Sequence, residues 1–202
     1  MRGFLRRPRR LSLAAVVAVT LGLAGPIVLG TADEAAAATC PCSIWAPTAT
    51  PVSPADPDSN AVEVGVKFRA DVAGTVTGVR FYKQTGNTGT HVGRLWTATG
   101  TLLGTVTFTG ETASGWQQAN FTAPIAITAG TTYVVSYRAP VGHYSADAGF
   151  FANTGVDRAP LHALGDGVDG PNGVYRYGTG GVFPTDTFQS TNYWVDVVLQ
   201  TT

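Results

Sequence analysis

The sequence predicts an all-β protein: an antiparallel β-sandwich, jelly-roll-like, with a long irregular loop region near 140–188. Three observations carry this. Seven segments alternate apolar and polar residues with a period of two, the mark of half-buried strands. No window of helical length shows a 3.6-residue period. Glycine numbers 25 and threonine is abundant, which favours strands and tight turns over helices.

Residues 1–38 come before the fold. A basic start, MRGFLRRPRR, is followed by an apolar run and an Ala-rich zone, TADEAAAATC. That order is the n-region, h-region and cleavage zone of a secretory signal peptide. Gly25 and Pro26 interrupt the apolar run, which disfavours a permanent membrane span. The expected localisation is therefore extracellular. The full chain has 13 cationic and 13 acidic residues. Removing Arg2, Arg6, Arg7, Arg9, Arg10, Asp33 and Glu34 leaves eight and eleven, a net charge of −3. With no basic patch, nucleic acid is excluded as an expected partner. No membrane partner is expected once the leader is cleaved.

Residues 39–60 form a lead-in: a Cys40-Pro41-Cys42 pair and then APTATPVSPADPDSN, which has no periodicity and reads as extended, packed or not. In an oxidising compartment the thiols are expected to be paired. A local Cys40–Cys42 disulfide is the leading arrangement, with an intermolecular bridge and metal-bound thiols as alternatives. A ring this small closes almost no loop entropy.

The sandwich domain is placed at 61–202. In AVEVGVKFRA, Val62, Val64, Val66 and Phe68 point to the core. Glu63, Lys67 and Arg69 are expected on a solvated ion-pair face. GTVTGVRFYK follows the Asp71–Gly74 turn, with Val79 and Phe81 on one side and Arg80 and Tyr82 on the other. The Gln84–Thr90 loop then leads to HVGRLWTA. This segment and LLGTVTFTG flank a turn at Thr99–Gly100 and read as a hairpin. GWQQANFTA, TTYVVSYRA and NYWVDVVLQ complete the regular strands. Between Pro140 and Phe188 the alternation fails, and loops this long in a compact domain are usually functional.

Signatures of catalysis are missing. There is no G-x-S-x-G elbow and no H-E-x-x-H pair. Glu63 and Glu111 show no sign of the paired acid site of a glycosidase. In GDGVDGPNG, Asp166, Asp169 and Asn172 place oxygen ligands three residues apart on a Gly-rich loop. Calcium is the candidate ion there, although the loop lacks the closing glutamate of an EF-hand. Asx-turns account for the same residues with no ion.

Aromatic side chains are the remaining candidates. Trp96 and Trp194 are expected in the core. Tyr144, Tyr175 and Tyr177 lie in the irregular region and are expected at the surface, where exposed rings can stack on sugars. In VYRYG, Tyr175 and Tyr177 share one face of an extended segment. His91 and Arg94, beside Trp96, are polar residues that turn chemistry does not explain, and they join the candidate ligand-binding set.

The stretches CPCSIW, VEVGVKFRADVAGTVTGVRFYK, GNTGTHVGRLW, ETASGWQQANF, SYRAPVGHYS, LHALGDGVDGPNGVYRYG and NYWVDVV occur in this order. Together they resemble the domain-of-unknown-function family DUF4082, a family of secreted actinobacterial modules. The resemblance runs from Cys40 to about Leu199 and implies an extracellular β-sandwich, often found beside carbohydrate-active enzymes. It brings no catalytic residues. The function expected is a noncatalytic, glycan- or cell-wall-associated binding module, with Tyr144, Tyr175, Tyr177 and Asp169 on its binding surface. Two alternatives stay open. One is a structural or adhesion module with protein partners. The other is a hydrolase built from distant residues such as His143, His162 and Asp166.

Overall fold

The structure, a computed structural model, describes residues 40–201; the leader assigned to residues 1–38 lies outside them. Eleven strands and no helix occur among the described residues. They are β1 (Val62–Ala70), β2 (Gly74–Lys83), β3 (Val92–Thr97), β4 (Leu102–Thr107), β5 (Gly115–Ile127), β6 (Tyr133–Ala139), β7 (Val156–Arg158), β8 (Leu161–Ala163), β9 (Val174–Tyr177), β10 (Asp186–Thr187) and β11 (Val195–Thr201).

Two antiparallel sheets form the sandwich. The larger has the order β10-β9-β1-β6-β3-β4, and the smaller β11-β2-β5. From β1 to β6 every connection crosses between sheets except the β3–β4 hairpin. The Gln84–Thr90 loop is one of these crossings, so β2 and β3 are not hairpin partners. The free edge of β1 is shared: β9 pairs with Val62–Gly65 and β8 with Phe68–Ala70. The region expected to be irregular thus holds four short strands, β7 to β10. Too short to show a period, they are held by pairing to β1 or to each other.

The core lies between the sheets. Val62, Val64, Val66 and Phe68 of β1 meet Val79 and Phe81 of β2, Tyr137 of β6, and Val197 and Leu199 of β11, all buried. Phe81 stacks on Tyr137 at 4.1 Å and meets Phe108 edge-on at 4.8 Å.

Parts of the outer faces are covered as well. The lead-in packs on the small sheet. The amide of Ile44 donates to Oδ1 of Asp196 at 2.8 Å, and the Trp45 indole N–H donates to the Val195 carbonyl at 2.9 Å. Farther along, the amides of Val52 and Ser53 donate to Asp147. Trp45 packs on Trp194 at 5.2 Å. This strap buries Asp196 on what alternation made the outer face of the small sheet. Cys40 and Cys42 are bridged, with their Cα atoms 4.6 Å apart.

Glu63 corrects an expectation. It is 1 % exposed and does not sit on a solvated face with Lys67 and Arg69. Arg94 donates to its Oε2 at 2.6 Å and Ser136 to its Oε1 at 2.6 Å, while the Trp96 indole donates to Ser136 at 2.8 Å. The cover is the chain after β9. Phe183 packs on Trp96 at 5.6 Å, and a Cβ added to Gly181 would come within 2.9 Å of the Arg94 guanidinium. Alternation locates a face but does not say what lies over it.

Candidate functional site

The large sheet is wider than the small one. At its β10–β9 end, the layer facing Tyr175 and Tyr177 is made of connecting segments around 56–58, 144–148 and 188–193. Between them lies a cleft of about 430 Å³.

Four tyrosines line it as a continuous chain of rings. Tyr177 meets Tyr175 at 5.7 Å, Tyr175 meets Tyr193 at 6.3 Å, and Tyr193 meets Tyr144 at 5.7 Å. The strand periodicity of β9 places Tyr175 and Tyr177 side by side, as expected. Burial differs along the chain. Tyr177 is 50 % exposed, Tyr175 is partly buried, and Tyr144 is 8 % exposed. Tyr144 is therefore not a surface residue, because its carbonyl accepts from the Asp56 amide and the 56–58 segment lies over it.

Asp56 and Asp58 supply the polar wall. Asp58 Oδ1 accepts from the amide and side chain of Asn60, and its Oδ2 from the Tyr177 phenol at 2.7 Å. Partial burial would raise the Asp58 carboxyl, but the bonds from Tyr177 and Asn60 outweigh it and hold the group below its ordinary value. The same bond to Asp58, with burial, raises the Tyr177 phenol. Burial chiefly raises those of Tyr144 and Tyr193. All three phenols are then neutral at neutral pH. Asp56 Oδ1 accepts the Asp58 amide, and its other oxygen takes no hydrogen bond from the described residues. No Lys, Arg or His lines the cleft.

The other expected site residues lie elsewhere. His91 is fully buried between Phe81 and Tyr137, bonded through Nδ1 to Glu111 at 2.8 Å and through Nε2 to Asn87 at 2.7 Å. Arg94 is buried on the opposite face of β3 with Glu63. Both are structural groups here, and neither faces the cleft. Their polarity serves networks beneath the surface.

Asp166, Asp169 and Asn172 do not converge as ligands. Asn172 is fully buried, and its Oδ1 accepts the amides of Lys67 and Gly173. Its amide group donates to the carbonyls of Lys67 and Leu164. Asp166 accepts from the Asn172 amide and the Ser190 hydroxyl, and Asp169 pairs with Arg69. The oxygens read as calcium ligands are thus engaged by protein donors, most of them distant in the chain rather than in Asx-turns. Asp169 is also absent from the tyrosine cleft.

A second cavity of about 520 Å³ contains His162 and Asp166 but no Phe, Tyr or Trp. His162 lies 2.8 Å from Asp71 and 2.9 Å from Asp157. His143 is not part of it; its Nδ1 bonds the Asp56 carbonyl. The three residues of the hydrolase alternative therefore form no constellation.

The family model for a domain of unknown function, DUF4082, matches residues 48–195. The chain belongs to this family. The match includes every residue of the cleft named above, from Asp56 to Tyr193. No curated protein matches the chain.

Sequence reasoning found three of the four tyrosines and missed Tyr193, Asp56 and Asp58. Tyr193 lies at the start of NYWVDVVLQ, where the pattern shows only a strand. The two aspartates sit in a Pro-rich stretch whose composition signals only turns.

Proposed function

We propose that the chain is a secreted, noncatalytic module that binds a glycan in the tyrosine cleft. The observation that carries this is the meeting of four ring-contacting tyrosines and two carboxylates in one cleft of about 430 Å³. Aromatic faces stack on the C–H surfaces of sugar rings, and carboxylates and phenols bond their hydroxyls. Such a cleft, apolar in body with a few convergent polar groups, is the usual form of a binding site. The half-exposed Tyr177 gives an extended ligand a place to rest at the rim.

The arrangement of the acids supports the noncatalytic reading. Asp56 and Asp58 are two residues apart on one segment. A glycosidase places its two carboxylates on either side of the scissile bond. The leader-like residues 1–38 and the Cys40–Cys42 pair support secretion, and with it contact with cell-wall or other extracellular polysaccharide.

The test is retention of the purified protein on insoluble polysaccharides and isolated cell wall, comparing wild type with Tyr175→Ala and Tyr177→Ala. Retention on one glycan that both variants weaken supports the reading. Absence of retention on every glycan rejects it.

A further inference from the structure

The lining of the cleft is unbalanced in charge. Asp56 and Asp58 face it and no cationic side chain does. Asp58 is held as an anion by its hydrogen bonds, and Asp56 keeps one carboxylate oxygen unengaged by the described residues. Tyr175 and Tyr177 beside them present ring faces and phenol oxygens, and the Tyr177 O–H already points to Asp58. A neutral hydroxyl would satisfy some of these acceptors. An ammonium group would satisfy more of them: it donates to carboxylate and phenol oxygens and is attracted by the aromatic faces.

We propose that the cleft selects a saccharide carrying free amino groups, with the ammonium held between the Asp56 and Asp58 carboxylates and the faces of Tyr175 and Tyr177. This rests on the glycan-binding reading and names its ligand class: amino sugars in their unacetylated, cationic form. An N-acetylated sugar of the same backbone loses the charge and keeps only one N–H donor of the ammonium's three. The acetyl group also adds bulk where Asp56 and Asp58 close the cleft.

The experiment is calorimetric titration of the full chain with a glucosamine trisaccharide and, separately, with its N-acetylated counterpart. Wild type is expected to bind the free-amine trisaccharide about tenfold more tightly, with the preference shrinking as salt is raised. Asp56→Asn is expected to remove most of that preference. This substitution preserves shape and keeps an oxygen for the Asp58 amide, and an unchanged melting temperature confirms folding. Tyr177→Phe, which releases Asp58 from its hydrogen bond, is a second variant that leaves both carboxylates in place. It is expected to retain the preference. Asp157→Asn, on a carboxylate outside the cleft, controls for net charge and is expected to bind as wild type does.

Equal affinity for the two trisaccharides would overturn the amine proposal and leave the glycan reading standing. An equal loss in Asp157→Asn and Asp56→Asn would also overturn it, because the preference would then belong to overall charge. Binding of neither trisaccharide by a protein retained on some other polysaccharide would overturn the amine proposal alone. Absence of binding to any glycan would overturn both.

Discussion

The phenol of Tyr177 donates a hydrogen bond of 2.7 Å to Asp58, a residue 119 positions earlier in the chain. The bond closes the cleft at its exposed end. It joins the end of β9 to the lead-in segment, so the site depends on both being in place. Tyr177→Ala removes a half-exposed ring and one solvent-accessible hydrogen bond. Its expected cost in stability is small, about 1 kcal/mol or less. Its expected cost in polysaccharide binding is larger, a loss of about tenfold. Parallel thermal melts and retention assays separate the two. Wild-type retention in both Tyr175→Ala and Tyr177→Ala would remove the cleft as the binding site.

Asp196 should behave in the opposite way, with a large effect on stability. It is fully buried, lies 3.3 Å from the Arg80 guanidinium, and accepts the amides of Ile44 and Val197 at 2.8 Å each. Asp196→Ala leaves a largely buried arginine without its partner and orphans the amides that hold the strap. Breaking a buried pair from one side typically costs about 3–5 kcal/mol. Urea denaturation should show a loss in that range. A loss below about 1 kcal/mol would mean that the strap adds little to the sandwich.

The two histidines with shifted pKa values should act on stability in opposite senses. Burial lowers His91 below its ordinary value of 6.5, against the pull of Glu111. Its unfolded form therefore takes up a proton that the native form resists. The His91 contribution is lost as pH falls below about 6.5. For His162, partial burial pulls the other way but is outweighed by Asp71 and Asp157, and the pKa is raised. Its contribution is complete below 6.5 and disappears as pH rises through the raised folded value. Melting temperatures of wild type and His162→Gln should therefore differ more at pH 5.5 than at pH 8.5. A difference independent of pH would remove the Asp71–His162–Asp157 ion pairs as its source.

Calcium should matter little to this fold. Because Asn172 spends its side chain on backbone groups of Lys67, Leu164 and Gly173, the loop is closed without an ion. Neither added calcium nor a chelator should move the melting temperature. Asn172→Ala, in contrast, leaves buried backbone groups unpaired and should cost about 2–4 kcal/mol. A clear calcium-dependent rise in melting temperature would restore the metal reading.

Reduction of the Cys40–Cys42 pair should add the mass of about two hydrogens and barely change the melting temperature, since the closed ring is minimal. A large drop on reduction would show that the bridge holds the strap.

Local pattern was enough to locate β1 through β6, since each is long enough for the two-residue period to show. Alternation also placed Tyr175 and Tyr177 on one face. It failed at Trp194, where the backbone takes a left-handed turn (φ 55°) and the strand begins only at Val195. It also failed to say what covers a face. Glu63, Arg94 and Asp196 look like surface charges in a strand pattern, and each became buried because a distant segment folds over it. His91 reads as an exposed candidate at a strand start because one of its partners, Glu111, lies on a separate turn that only the folded sheets bring to it.

The sequence by itself determined the strand-rich sandwich, the regular strands and the tyrosine pair of β9, because these follow from side-chain alternation and backbone propensity over a few neighbours. Only the tertiary structure decided that Asp56 and Asp58 face those tyrosines, that Tyr144 and Tyr193 complete the row, and that His91 and Arg94 belong to buried networks. The physical reason is the distance along the chain. A cleft assembled from residues near 57, 144, 176 and 190 has no local period, and it exists only where long-range pairing and unequal sheet widths bring those segments together.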